Sequence, residues 1–298
     1  MVGKIHASIY GVDVGDITRP KLVGVLNLSR ESFYQASAVD AENVAEVAAE
    51  MRKNRAEFLD LGARSTAPNA PPISIELEEE RIVDALQVLL PTLEDPRPVL
   101  SIDTQYARVF ERALTIGEEH GFDRFVLNDV SGLQTDREAL LALLATKPVP
   151  VVLMPAIERP GDVFYPKDAI VNLREKIVTL WDLGVKTTIV DPGIGRWVPM
   201  KKAVDDLVLL DDLESFRELA RPILVGISRK SFIGTICNVP DPAWRLPGTL
   251  AATAIAVYNG AHLVRTHDIT KATLDAVTLG HAMRKVKLER LQADGTHN

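Results

Sequence analysis

The stretch from Phe125 to Met154, FVLNDVSGLQTDREALLALLATKPVPVVLM, decides the fold. It opens on a short apolar run, Phe125–Leu127, and closes on another, Val149–Met154. Between them Asp136–Ala145 has the spacing and composition of a helix. Neither apolar run alternates with polar residues, as expected of strands covered on both faces. Strand, helix, strand in so short a span is the unit of a parallel sheet.

The same rhythm extends in both directions. Upstream runs are Leu22–Leu26, Phe58–Leu61 and Pro98–Ile102; downstream runs are Thr187–Val190, Pro222–Ile227 and Ala261–Val264. Helical segments between them include Ala41–Lys53, Ile75–Leu90, Ala169–Leu183, Val204–Leu219 and Leu250–Asn259. Eight strands alternating with helices, with no linker, predict an α/β fold: a single-domain (β/α)8 TIM barrel over 21–290. An open doubly wound sheet is the competing architecture. Residues 1–20 form an extension in which KIHASIYGVDVGD alternates weakly, consistent with a hairpin across the barrel bottom. The segment 291–298 reads as a polar tail that frays beyond Leu291.

Composition bounds the partners. Of 298 residues, 46% are hydrophobic and 25% charged, the balance of a globular chain able to bury a large core. Lys plus Arg is 34 against 41 for Asp plus Glu, a net charge of −7. No Lys/Arg-rich stripe offers phosphates a binding track, so nucleic acid is not an expected partner. No apolar run approaches the ~18 residues that span a bilayer, nor does the N-terminus show a signal-peptide pattern. Cys237 is the single cysteine, which excludes an intrachain disulfide and fits a reducing compartment. A cytoplasmic protein without a membrane partner is expected.

In a barrel the active site lies at the carboxyl ends of the strands. Here those ends carry Asn27; Arg64, Ser65 and Thr66; Asp103; Asn128 and Asp129; Asp191; Ser228 and Lys230; and Arg265 and His267. Asn, Asp, Ser and Thr also cap helices, and each alone reads as a cap. Lys230, Arg265 and His267 are not cap residues, and the set together reads as a polar site. Asp103, Asn128 and Asp191 suit a flat, nitrogen-rich ring, where a carboxylate facing an amino-pyrimidine edge makes a charge-assisted contact. Lys230 suits a ring oxygen or nitrogen, and Arg265 with His267 suits a phosphate. The Gly193–Gly195 turn permits a tight backbone path. No HExxH, EF-hand or GxGxxG pattern is present, which argues against zinc protease, calcium and nicotinamide readings.

Six motifs in register resemble the dihydropteroate synthase family of pterin-binding barrels, from about Val23 to Ile269. They are SIDT (101–104), NDVSG (128–132), DPGIG (191–195), PILVGISRKSFIG (222–234), RLPGTLA (245–251) and VRTHD (264–268), with GVLNLSRESF (24–33) resembling the family's first loop. The resemblance implies pterin binding by Asp103, Asn128, Val130, Met154, Asp191 and Lys230. It implies diphosphate binding by Asn27, Arg265 and His267, with Asn27 also at a magnesium ion (Mg2+). Lys230, Arg265 and His267 would be the catalytic set, and Thr66, Arg196 and Ser228 would meet an arylamine. The implied reaction couples a 6-hydroxymethyl-7,8-dihydropterin diphosphate to that amine and releases diphosphate, in folate or methanopterin synthesis. The pattern also implies a homodimer.

The departures concentrate in loops. GARSTAPN (62–69) has Ala67 where the family carries an arginine, and Arg64 is the candidate replacement. Ser29, Arg30 and Glu31 alter the first loop, Pro155 replaces a histidine, and DPGIGRWVPMK (191–201) puts Arg196 and Trp197 where an apolar ring is usual. The loop variants resemble a divergent, archaeal-type branch, in which an amine bearing a phosphate would suit Arg196. The alternatives are a pterin-dependent methyltransferase acting on a corrinoid protein, and a non-catalytic pterin-binding protein. Cys237 and Trp181 read as packing residues, and His120 and His262 as packing or surface histidines.

Overall fold

A computed structural model describes residues 4–29, 38–66 and 70–295. The chain opens with an antiparallel hairpin, β1 (His6–Ile9) and β2 (Val12–Gly15), in register Ile9↔Val12. Its two turn residues, Tyr10 and Gly11, both have positive φ (50° and 80°), the geometry that suits the twist of a tight hairpin. Then follow β3 (Lys21–Asn27), β4 (Ala56–Gly62), β5 (Val99–Asp103), β6 (Phe125–Asp129), β7 (Val151–Leu153), β8 (Thr188–Val190), β9 (Leu224–Gly226) and β10 (Leu263–Thr266). These eight strands pair in parallel in the order β8-β7-β6-β5-β4-β3-β10-β9. A parallel bridge, Val190↔Ile223, joins the two ends of that sheet. The barrel expected from the sequence is therefore observed, and the open sheet is excluded.

The helices lie outside: α1 (Val44–Lys53), α2 (Ile75–Leu89), α3 (Ala107–Glu119), α4 (Arg137–Thr146), α5 (Pro166–Asp182), α6 (Ala203–Asp211), α7 (Ser231–Ile236), α8 (Leu246–Tyr258) and α9 (Lys271–Gly295). Local chemistry starts several of them. The Ser74 hydroxyl accepts from Leu77 N at 3.1 Å to cap α2, and Pro166 takes the first position of α5, where its missing N–H costs nothing. Among the described residues no helix is long and apolar enough to cross a membrane.

The core has two compartments. Leu22, Leu59, Leu100 and Val151 face outward onto helix residues such as Ile82, Phe110 and Leu140. Val23, Phe58, Val99, Val126, Val152, Ile189, Leu224 and Leu263, one from each strand, fill the barrel interior. Ile9 and Val14 of the hairpin join this inner cluster, so the extension plugs the bottom of the barrel as the weak alternation suggested. Truncating Phe58 to alanine there would cost roughly 3–5 kcal/mol.

Several sequence readings need correction. Val204–Leu219 is α6 followed by a 3-10 segment from Asp212 to Leu219. The last helix continues to Gly295, beyond Leu291 where fraying was expected. Trp181 is 49% exposed, with Lys186 Nζ 4.2 Å from its ring centroid, so it covers a cation at the surface instead of filling the core. Cys237 is exposed as well. The packing reading of His262 stands: it is fully buried, and its Nδ1 accepts from Ile223 N at 3.0 Å.

Candidate active site

The carboxyl ends of the strands surround a cavity of about 680 Å3, within the range of small-molecule sites. Parallel register sets its floor: Gly62 lies beside Asp103, and Asp103 beside Asn128. From the far side of the barrel Arg265 of β10 crosses to this floor. Its Nε donates to Asp60 Oδ2 at 2.6 Å and its Nη2 to Asp103 Oδ2 at 2.7 Å. Asn128 Nδ2 donates to the other oxygen of Asp60 at 3.1 Å. One guanidinium thus bridges two carboxylates. Burial, with Asp60 close by, pushes the Asp103 carboxyl up to about 7 despite Arg265.

The loop after β8 forms one wall. Asp191 Oδ1 accepts from Gly193 N at 2.7 Å, and burial raises its pKa against the pull of Lys230. Gly195 has φ +126°, and a Cβ there would come within 2.9 Å of Lys230 Nζ, so only glycine lets the loop approach this lysine. Lys230 Nζ donates to Ile194 O and sits 4.9 Å from the Trp197 ring centroid. Its burial lowers the ammonium pKa to about 8. Trp197 Nε1 donates to Gly193 O at 3.0 Å, fixing the ring over the loop. Underneath, the buried Lys201 Nζ binds Asp206 at 2.8 Å and Gly193 O at 2.7 Å, while Asp206 accepts from Gly195 N at 2.7 Å.

The loops after β9 and β10 supply the adjoining wall. His267 Nδ1 lies 3.0 Å from Ser228 Oγ, and burial with Arg265 nearby lowers its pKa to about 3, leaving the imidazole neutral at pH 7. Arg229 points into the protein, paired with Asp268 at 2.7 and 2.8 Å and with the carbonyls of Pro242 and Ala243. Arg245 bonds Val239 O and Arg229 O, both at 2.9 Å, and also lines the cavity.

All the site residues expected from the sequence line this cavity except Met154 and Asp129. Met154 is 1% exposed and packs beneath Gly193 instead of facing the opening. Asp129, at another strand end, spends its carboxylate on Ser131 N (2.8 Å) and Leu133 N (2.6 Å). Arg64 reaches the cavity edge but is committed to Glu78 (2.5 Å), Ile73 O and Ser74 O. Arg30, Glu31 and Ala67 lie outside the described residues. Arg196 is exposed at the mouth, with a single 3.5 Å contact to Pro199 O. Sequence reading missed Asp60, Lys201 and Asp206. Asp60 carried a signal, a carboxylate inside the apolar run Phe58–Leu61; Lys201 and Asp206 looked like ordinary charges beside a helix start.

A deep cavity with a carboxylate–amide floor and a cationic mouth, at the carboxyl end of a (β/α)8 barrel, defines a ligand-binding site of enzyme type. Comparison with known proteins assigns the class. The pterin binding enzyme family matches residues 23–267. The chain belongs to the dihydropteroate synthase family of pterin binding enzymes, and it is an enzyme of that transferase type. A dihydropteroate synthase from Synechocystis sp. is 33% identical over 84% of this chain and 86% of its own length. A probable bifunctional folylpolyglutamate synthase/dihydropteroate synthase of Halobacterium salinarum is 33% identical over 89% of this chain, which spans only 32% of that relative's length. Among solved structures, a dihydropteroate synthase from Coxiella burnetii in complex with pteroic acid superposes with a TM-score of 0.77 at 30% identity, covering 95% and 99% of the two chains.

Proposed function

We propose that this protein joins the methylene carbon of 6-hydroxymethyl-7,8-dihydropterin diphosphate to the nitrogen of an arylamine and releases diphosphate, as a step of folate synthesis. The observation that carries this reading is the division of one cavity into two chemistries. Asp103, Asn128 and Asp191 form a floor that meets the N–H edge of a pterin, with Lys230 donating to a ring acceptor. Arg265, His267 and Asn27, which line the same cavity, would meet the departing diphosphate. Loss of that group leaves a resonance-stabilised methylene cation, so the amine attacks without a strong base. The neutral His267 and the carboxylate-bound Arg265 accord with stabilising and positioning groups instead of a nucleophile.

The donor set fits a magnesium that arrives on the substrate. Among the described residues no group of three or more His, Cys, Asp or Glu could hold an ion, which suits a cation held mainly by phosphate oxygens and water. Asn27, 7% exposed, would contribute its amide oxygen, which also accepts from Ser29 N at 3.2 Å. When bound, the ion would offset charge on the leaving diphosphate.

Arg196 is the residue for the amine. Its exposed guanidinium at the cavity mouth suits an acceptor carrying an anionic group, either the carboxylate of p-aminobenzoate or the phosphate of a ribofuranosyl-aminobenzene. A cytoplasmic homodimer completes the proposal; exposed Ile255, Leu279, Met283 and Val286 on α8 and α9 support the pairing, and light scattering tests it. The function is tested by mass spectrometry of single incubations with magnesium, the pterin diphosphate and each amine. Coupling to p-aminobenzoate is the expected result; coupling only to the phosphorylated amine, lost in Arg196→Gln, would assign methanopterin synthesis. No coupling to either would overturn the proposal.

A further inference from the structure

The opposite end of the barrel carries a second cavity, of about 550 Å3, among the segments that lead into the strands. Its lining includes Arg19, Arg52, Arg55, Arg97 and Arg124, against one carboxylate, Glu57. Glu57 is already engaged by Arg19 at 2.5 Å and Lys21 at 3.8 Å. In a chain of net charge −7 this is a local concentration of positive charge. Like charges in one concavity repel, and the repulsion is relieved when an anion enters.

The arginines are also arranged. Arg52 Nη2 donates to Pro96 O at 2.6 Å, Arg97 Nη1 to Gly121 O at 2.9 Å and Arg124 Nε to Pro98 O at 3.3 Å. Each such bond orients a guanidinium and leaves further N–H groups for a ligand, and among the described residues only Arg97 of the three also faces a carboxylate, the exposed Asp95 at 3.9 Å. Arg124 is held in addition by the Tyr10 ring, 6.0 Å from its Cζ. Arg55 stands exposed at the entry to β4. Planar, pre-oriented guanidiniums match phosphoryl oxygens in pairs, which a scatter of flexible lysines would not.

We propose that this cavity binds a small anion bearing two or more phosphoryl groups, separate from the active site and independent of the reaction assigned to it. The shared chemistry is the polyphosphate; an inorganic polyphosphate and a nucleoside triphosphate are its two sources. The test is arginine labelling with phenylglyoxal on the full chain, read residue by residue by mass spectrometry, with inorganic tripolyphosphate or ATP added. Protection of Arg55 and Arg97 by either probe is expected, and stronger protection by ATP would assign a nucleotide. Equal labelling with and without both probes overturns the proposal. Calorimetric titration of tripolyphosphate into the Arg55→Glu/Arg97→Glu variant gives a second reading. Loss of one class of sites, or weakening by about tenfold or more, is expected; a titration matching wild type overturns it. Because labelling uses the unaltered protein, the proposal stays testable even where that variant fails to fold.

Discussion

Both ends of the barrel bury aspartate among arginines, and they use them in opposite ways. At the bottom, Asp16 receives Arg217 through two bonds (2.7 and 3.0 Å), His262 at 3.1 Å, Ile5 N at 2.7 Å and Arg284. Burial works against its charge, but these donors together hold the carboxyl far below the usual range. At the top, Asp60 and Asp103 divide one guanidinium between them, and Asp103 is pushed up to about 7. Residue type does not separate a staple from a site. The difference lies in donors per carboxylate: Asp16 has no capacity left for a ligand, whereas the Asp103–Arg265 pair keeps polar capacity facing a cavity.

The largest expected effect breaks the staple. Asp16→Ala leaves Arg284 and His262 buried without their acceptor, and should cost about 3–5 kcal/mol of folding stability. Denaturant titration measures it, and the KM values of protein that remains folded should stay within about twofold of wild type. Next comes Asp60→Asn, which removes the charge that holds Arg265 and leaves one oxygen where Arg265 and Asn128 each have one now. Its kcat/KM should fall about 100-fold, roughly 2.7 kcal/mol of transition-state stabilisation, with a smaller stability loss of about 1–3 kcal/mol. A folded Asp16→Ala protein that is catalytically crippled, or an Asp60→Asn protein with normal kinetics, would erase the distinction between the two ends.

Acid–base behaviour sharpens the same comparison. Burial raises Asp103 to about 7, so the carboxylate proposed to meet the pterin is lost as pH falls below 7. Burial lowers Lys230 to about 8, so its donor charge is lost as pH rises above 8. The profile of kcat/KM should therefore peak between these values, and Lys230→Arg should move the alkaline limb upward. A flat profile from pH 6 to 9 would show that neither group titrates in the free enzyme.

What was legible in the sequence follows from these interactions. Strands buried on both faces are mostly apolar, so all eight barrel strands stood out as short apolar runs, with Asp60 and Ser101 among the few polar residues inside them. Asn27, Asp103, Asn128 and Lys230 were legible because they interrupt that pattern where strands give way to loops. Trp181 was misread because a helix such as α5 shows its buried face only through spacing, and one aromatic residue fits either side. The role of Arg64 was hidden because it depends on Glu78, fourteen residues later in another element. Asp16 needed still more: partners at 217, 262 and 284, which the closed barrel alone brings together.

His281, near the saturated Asp16 cluster, is its opposite, and it gives the smallest effect. It lies in α9, 8% exposed, and neither ring nitrogen has a hydrogen-bond partner among the described residues. Burial, with Lys285, Arg284 and Arg19 nearby, lowers its pKa to about 4. Between the unfolded value near 6.5 and that lower value, the unfolded chain binds a proton that the folded chain refuses. The contribution of the neutral ring to stability is therefore complete above pH 6.5 and is lost as pH falls toward 4. His281→Leu removes two unpaired polar atoms and should stabilise the protein by about 1–2 kcal/mol at pH 7, with kcat unchanged. Because His262 titrates in both proteins, the difference between wild type and variant isolates His281, and it should widen from pH 6.5 to 4. A variant less stable than wild type at pH 7 would mean that the ring does have a partner, as Asp16 and His262 do.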